Sequence, residues 1–345
     1  MRIQDALARL LGREDLDEAA MSAVMRQVMT GEATPAQIGA FLVALRMKGE
    51  TVEEVAAAAA VMRSLADAVD LGGARAVDIV GTGGDSTGTF NVSTCSALVA
   101  AAAGVTVAKH GNRSVSSTSG AADLLEAAGV NIDLDAAGVG ACIRRAGIGF
   151  MFAPRHHSAM KHAIGPRREM GVRTLFNLLG PLTNPAGVKR QVLGVYDGAW
   201  VRPLAEALAR LGSERAMVVH GDNGMDEISL EGPTRVAELD GGAVAERTIE
   251  PGDFGIERAP LEAIRVGSAA ESLAMIEAVL AGESGAPRDV VLLNAGAAIH
   301  VGGGADAMDG GVARAREALD SGAARAKLEE LASVTRELGA GGGGR

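Results

Sequence analysis

No strand-forming run precedes Val77, and from Val77 onward short β-rich runs alternate with alanine-rich helical text. That division constrains the fold more than any other feature of the 345 residues. Ahead of it, Thr34-Pro35-Ala36-Gln37 and Thr51-Val52-Glu53-Glu54 read as capping boxes, the first with Pro at the first helical position. Gly31 and Gly49 stand where such helices stop. Ile38, Phe41, Leu42 and Leu45 recur at helical spacing, as do Met21, Met25 and Met29, which assigns both sets to packing. Residues 1–70 therefore predict a small helical domain, with 70–74 as its linker. Beyond it the β-rich runs are 77–80, 105–109, 149–152, 191–196, 216–219 and 289–293. Most are followed by a Gly-containing turn and a helix, which predicts an α/β domain with a central, mostly parallel sheet flanked by helices. Residues 158–185 turn helical again and are expected to complete the small domain, leaving 75–157 and 186–338 as the large one. Residues 233–260 read as loops and short strands, and the Gly-rich tail 339–345 as disordered.

Composition narrows the function. Aromatics are scarce, with one Trp and one Tyr, so stacking platforms for bases are not expected. A net charge of -10 also disfavours a nucleic-acid partner. Two cysteines, Cys95 and Cys142, fall in alanine-rich helical text and read as small buried hydrophobes, not as a disulfide or zinc framework. Residues 1–13 form a charged amphipathic pattern without a secretory core. The longest apolar run, 95–108, is shorter than the ~20 residues of a membrane helix, and Gly104 interrupts it. A cytoplasmic enzyme is the expectation.

Two segments carry the chemistry. Val77-Asp-Ile-Val-Gly-Thr-Gly-Gly-Asp85 and Lys109-His-Gly-Asn-Arg-Ser-Val-Ser-Ser117 each join a short strand to a loop of glycine or hydroxyl residues and then to a helix. That order brings unpaired backbone N–H groups to the positive end of a helix dipole, which suits phosphate. The first loop lacks the Gly-Lys-Ser/Thr of a Walker loop, and Ser86 replaces the third glycine of a dinucleotide loop. A tight turn with glycines serving geometry alone is the plainer reading, but Asn91, Ser93 and Thr94 open the next helix with polar groups free to face the same pocket. The second loop packs Lys109, Arg113, Asn112 and the hydroxyls of Ser114, Ser116 and Ser117 after a buried strand, where parallel sheets place ligands. Asp226-Glu227, beyond a third strand, would supply carboxylates for Mg2+, although such a pair taken alone is more often solvated surface. His156-His157 read as structural histidines. Arg167 and Arg168 read as a charged face from which one reaches an anionic substrate, and the residues alone do not choose between them.

Together these segments closely resemble anthranilate phosphoribosyltransferases over nearly the whole chain. The resemblance runs through Phe41-Leu-Val-Ala-Leu-Arg-Met-Lys-Gly-Glu-Thr51, the Gly81 loop, Asn91-Val-Ser-Thr94, the Lys109 loop and Arg173-Thr-Leu-Phe-Asn-Leu-Leu-Gly-Pro-Leu-Thr-Asn-Pro185. It continues through His220-Gly221, Asp226-Glu-Ile-Ser229 and Leu293-Asn-Ala295. It implies transfer of the phosphoribosyl group of phosphoribosyl pyrophosphate (PRPP) to anthranilate, in tryptophan biosynthesis. Gly81, Gly83, Gly84, Asp85, Thr89, Asn91, Val92, Ser93 and Thr94 would hold the pyrophosphate and ribose. Lys109, His110, Gly111, Asn112, Arg113, Ser114, Val115, Ser116, Ser117 and Ala121 would surround the 5′-phosphate region. Ala121 stands where such proteins usually carry a small hydroxyl, and Ser158 where they carry proline. Ser93, Asp226 and Glu227 would bind Mg2+, while Asn112 and Arg167 would receive anthranilate. The resemblance makes Lys109, Asn112 and Arg167 the catalytic set and assigns no general base. It also implies a homodimer through the N-terminal helices, and allows association with anthranilate synthase. A pyrimidine nucleoside phosphorylase of the same fold, or a nucleic-acid-binding paralogue without activity, are the alternatives.

Overall fold

The computed structural model describes residues 1–113 and 120–341. The N-terminal segment folds into α1 (Ile3–Leu11), α2 (Glu18–Thr30), α3 (Pro35–Lys48) and α4 (Val52–Ser64). Thr34 and Thr51 cap α3 and α4 with the reciprocal bonds from Gln37 and Glu54 that the sequence predicts. Gly31 ends α2 in the left-handed region, at φ +80°. Met21, Met25 and Met29 are all buried.

The sheet is built from β1 (Val77–Gly81), β2 (Val107–Gly111), β3 (Ile148–Phe152), β4 (Arg190–Gly194), β5 (Arg215–Gly221), β6 (Thr234–Asp240) and β7 (Ala243–Ile249). Its order is β3-β2-β1-β4-β5-β6-β7. The first five strands are parallel, and β6 and β7 are antiparallel additions at one edge. The chain works outward from β1 to β2 and β3, then returns to the other side with β4, so β1 lies at the point where the strand order reverses. Ligands of open α/β sheets bind beyond the strand ends at such a point.

Helices cover both faces. α5 (Val92–Ala102), α6 (Ala121–Ala127), α7 (Ala136–Ala146) and a single turn, α8 (Ala153–His156), accompany the first half. The insert supplies α9 (Lys161–Met170) and α10 (Phe176–Leu182). Then come α11 (Val201–Arg210), α12 (Ala269–Leu280), α13 (Ala286–Gly302), α14 (Met308–Asp320) and α15 (Ala323–Gly341). Alternation along the strands separates two cores. Val192, Met217 and Val219 join α5 and α13 in one, while Leu193, Val195, Ala216 and Val218 join α11 and the N-terminal helices in the other. α9 packs on α2 and α3, and α10 on α4.

Three expectations need correction. Residues 289–293 form no strand but lie inside α13, which opens with Pro287 after Gly285. An apolar run buried on all sides carries no period to separate strand from helix. Residues 234–249 make a full hairpin, two seven-residue strands joined at Gly241-Gly242, both with positive φ. That is the geometry a Gly-Gly turn signals. α15 runs to Gly341, three residues into the tail expected to be disordered, and 342–345 lie outside the described residues.

Candidate active site

The C-terminal ends of β1, β2, β4 and β5 supply the site. After Gly81 the chain turns through Gly83 (φ +66°) and Gly84 (φ +77°), a conformation that glycine alone adopts without strain. Thr82 N–H donates to Gly194 O (2.9 Å), and Thr82 Oγ1 accepts from Tyr196 N–H (3.0 Å), which ties this loop to β4. Gly83 N–H donates to Asp226 Oδ2 (2.7 Å), tying it to the segment after β5. Asp85 accepts from Thr87 Oγ1 (2.6 Å). Thr89 bridges to Arg265, and Val92 is buried. Asn91 caps α5, its Oδ1 accepting from Thr94 N–H (3.0 Å) and Ser93 Oγ (3.3 Å).

Lys109 is only 3% exposed and reaches into this arrangement. Its Nζ donates to Ile79 O (2.6 Å) and Ser93 Oγ (3.2 Å). Burial pulls its pKa down to about 8, against the charges of Asp78 and Glu227. His110 is buried, its ring 5.1 Å from that of His157. Burial holds both imidazoles below their ordinary value, His157 at about 4, which favours their neutral forms. Gly111 lies so close to Phe150 and Ala121 that a Cβ there would overlap the phenyl ring. Asn112 Oδ1 accepts from Arg113 N–H (2.7 Å). The Arg113 guanidinium pairs with Asp123 (2.9 Å) and Glu126 (2.8 Å) at α6. Ser114, Val115, Ser116 and Ser117 lie outside the described residues.

The acidic pair completes the cluster. Glu227 Oε1 accepts from Ser93 N–H (3.1 Å) at the start of α5. Burial and the nearby Asp85 raise Asp226 to about 7. Burial, Asp226 and Asp85 raise Glu227 well above the carboxylate range. Three carboxylates with one buried lysine are short of positive charge, and Asp226, Glu227 and Ser93 Oγ are the hard oxygen donors that Mg2+ takes. The donor set fits that ion.

Arg167 lies on α9 with its guanidinium 5.0 Å from the Phe176 ring centroid, and burial lowers its pKa. Arg173, not singled out from sequence, stacks 4.1 Å from the Tyr196 centroid and donates to Gly84 O, bridging the insert to the Gly81 loop. Asp78 and Asn184 were missed as well. They are buried and hydrogen-bonded to each other beneath the site. A carboxylate inside the apolar strand 77–80 was the signal available for Asp78.

Comparison with known proteins identifies the family. Residues 73–325 match the a/b domain of a glycosyl transferase family, and residues 4–66 match its helical bundle domain. The class is therefore a two-part glycosyl transferase. The chain is 61% identical to an anthranilate phosphoribosyltransferase of Thioalkalivibrio sulfidiphilus, over 97% of this chain and 99% of that one. It is 55% identical to that of Halorhodospira halophila, over 98% and 99%. The crystal structure of the Thermus thermophilus enzyme superposes with a TM-score of 0.91 at 46% identity, covering 96% of this chain and 99% of that one. The Saccharomyces cerevisiae enzyme in complex with PRPP and Mg gives 0.88 at 29%, covering 97% and 98%. The chain belongs to the anthranilate phosphoribosyltransferase family.

Proposed function

We propose that this chain transfers the 5-phosphoribosyl group of PRPP to the amine of anthranilate and releases pyrophosphate. One observation carries the reading: the Gly81 loop, Lys109 and the Asp226–Glu227 pair, distant in sequence, are hydrogen-bonded into one cluster at the start of α5. Breaking the bond at ribose C1 leaves positive charge on the ring and negative charge on pyrophosphate. Asp226, Glu227 and Ser93 would hold Mg2+, which would supply positive charge against the leaving group. Lys109 and the loop N–H groups act on the same developing charge, already oriented before the bond breaks. Arg167 takes the anthranilate carboxylate and Asn112 steadies the ring, which replaces a collision by a bound geometry. The aromatic amine is neutral at pH 7, so no strong general base is needed.

The packing of α9 on α2 and α3 supports a small domain of residues 1–70 completed by 158–185. A homodimer is part of the proposal. Ala36, Ala40, Val43 and Met47 expose one apolar stripe along α3, with Met47 at 72%, and Leu11 of the adjoining α1 is 79% exposed. Such a stripe favours association. Anthranilate synthase is a further proposed partner, and the cytoplasm the proposed compartment. No helix among the described residues is long and apolar enough to cross a membrane. The test mixes protein, anthranilate, PRPP and Mg2+ and follows the loss of anthranilate fluorescence. Phosphorolysis of a pyrimidine nucleoside in place of that loss would replace this reading.

A further inference from the structure

Parallel neighbours in this sheet pair over five residues, from β1–β4 to β2–β3 and β4–β5. β1 and β2 are the exception and pair in register only at Val77 and Val107. Beyond that point side chains take over from the ladder. Asp78 Oδ1 accepts from His110 N–H (3.1 Å), and Asp78 Oδ2 accepts from Asn184 Nδ2 (2.8 Å). The same Nδ2 donates to Ala108 O (2.9 Å), and Lys109 Nζ crosses to Ile79 O (2.6 Å). Direct ladder bonds hold strands about 4.8 Å apart, whereas a carboxylate or amide placed between them holds them wider.

We propose that Asp78 and Asn184 are positioning residues for the phosphoribosyl donor: wedged between β1 and β2, they set the spacing of the Gly81 and Lys109 loops. Those loops continue directly from the two strands, so the width of the gap is transmitted to the groups that a ligand spanning both must meet. Asn184 Oδ1 also accepts from Ala186 N–H (2.9 Å), which fixes the amide where the chain leaves α10 and turns toward β4. A buried carboxylate is an expensive filler for stability alone. Burial drives Asp78 up to about 6 against the pull of Lys109, and an apolar side chain would close the gap without that penalty. The two side chains are buried beneath the loops and act through them.

The inference rests on the proposed transferase reading, and its test separates the two. Asp78→Asn keeps the acceptor for His110 N–H but sets an amide donor against Asn184. Its KM for PRPP is expected to rise about tenfold, while that for anthranilate, whose carboxylate is taken by Arg167 on α9 with Asn112 only steadying the ring, changes less than about threefold. Asn184→Ala, which leaves the Asp78–His110 bond in place, is expected to raise the PRPP KM about threefold to tenfold, and covers the case in which Asp78→Asn does not fold. A folded variant with its PRPP KM within about twofold of the unaltered chain, or with both KM values rising alike, overturns the inference. Absence of turnover in the unaltered chain would instead overturn the transferase reading.

Discussion

Gly81→Ala is the sharpest available probe of the acidic pair. Gly81 sits in β1 with an ordinary strand backbone, so alanine brings no φ penalty there. Its added Cβ would lie 3.0 Å from Asp226 Cγ and would overlap Oδ2 outright. Carbon atoms in contact sit about 3.5–4.0 Å apart, so the carboxylate must retreat by roughly 0.5–1 Å. The retreat breaks its bond from Gly83 N–H, at a cost to stability of about 1–3 kcal/mol. Activity is far more sensitive, because a misplacement of about 1 Å at a reacting centre costs up to about a hundredfold. Anthranilate fluorescence decay, with Mg2+ titrated at saturating PRPP, should show kcat/KM reduced about 30- to 100-fold and a raised Mg2+ half-saturation. Gly232→Ala, where a Cβ meets nothing within 4 Å, serves as the control. A Gly81→Ala protein with kcat/KM and Mg2+ requirement within about twofold of the unaltered chain would refute the placement of Asp226 in the site.

Asp226→Asn combined with Glu227→Gln should remove turnover at any Mg2+ concentration while raising thermal stability in metal-free buffer. Asp226 has a folded pKa of about 7, above its unfolded value, so folding is favoured at low pH and loses that increment as pH rises through about 7. The variant should therefore melt at least about 3 °C higher at pH 8, with the gap closing toward pH 5. His110, His156 and His157, depressed by burial, act in the opposite sense, costing stability as pH falls below their ordinary value, but do so in both proteins and cancel in the difference. Mg2+ half-saturation should rise as pH falls from 8 to 6, since protons compete for the pair; a flat profile counts against it. Arg167→Ala should raise the anthranilate KM about tenfold or more and leave that of PRPP nearly unchanged, and equal shifts would mean Arg167 is misplaced. Met47→Asp should convert a dimer to monomer in sedimentation equilibrium, whereas an unchanged mass would exclude the α3 stripe as the contact.

Local signals carried much of the architecture. Thr34 and Thr51 announced their helices because a capping box is complete within four residues, and β1 and β2 announced themselves by the glycine loops that follow. The α13 run at 289–293 misled because burial of its apolar residues on every side erases periodicity, and Gly241-Gly242 was an unused hairpin signal. At the site, Gly83, Ser93, Lys109, Asp226 and Glu227 were legible because each pairs a chemical type with a strand end or helix start. The pairing of Arg113 with Glu126 on the next helix was not, because that partner is set by tertiary placement. Asp78, Asn184 and Arg173 depend on partners 32, 89 and 106 residues away, a relation that no local pattern encodes.

Ser93 N–H, at the head of α5, is already taken by Glu227. A phosphate arriving without a cation finds that donor held by a carboxyl oxygen belonging to the protein. Only a partner that draws the Glu227 oxygen onto itself frees the amide, so metal and donor gain from arriving together, and each should tighten the grip on the other.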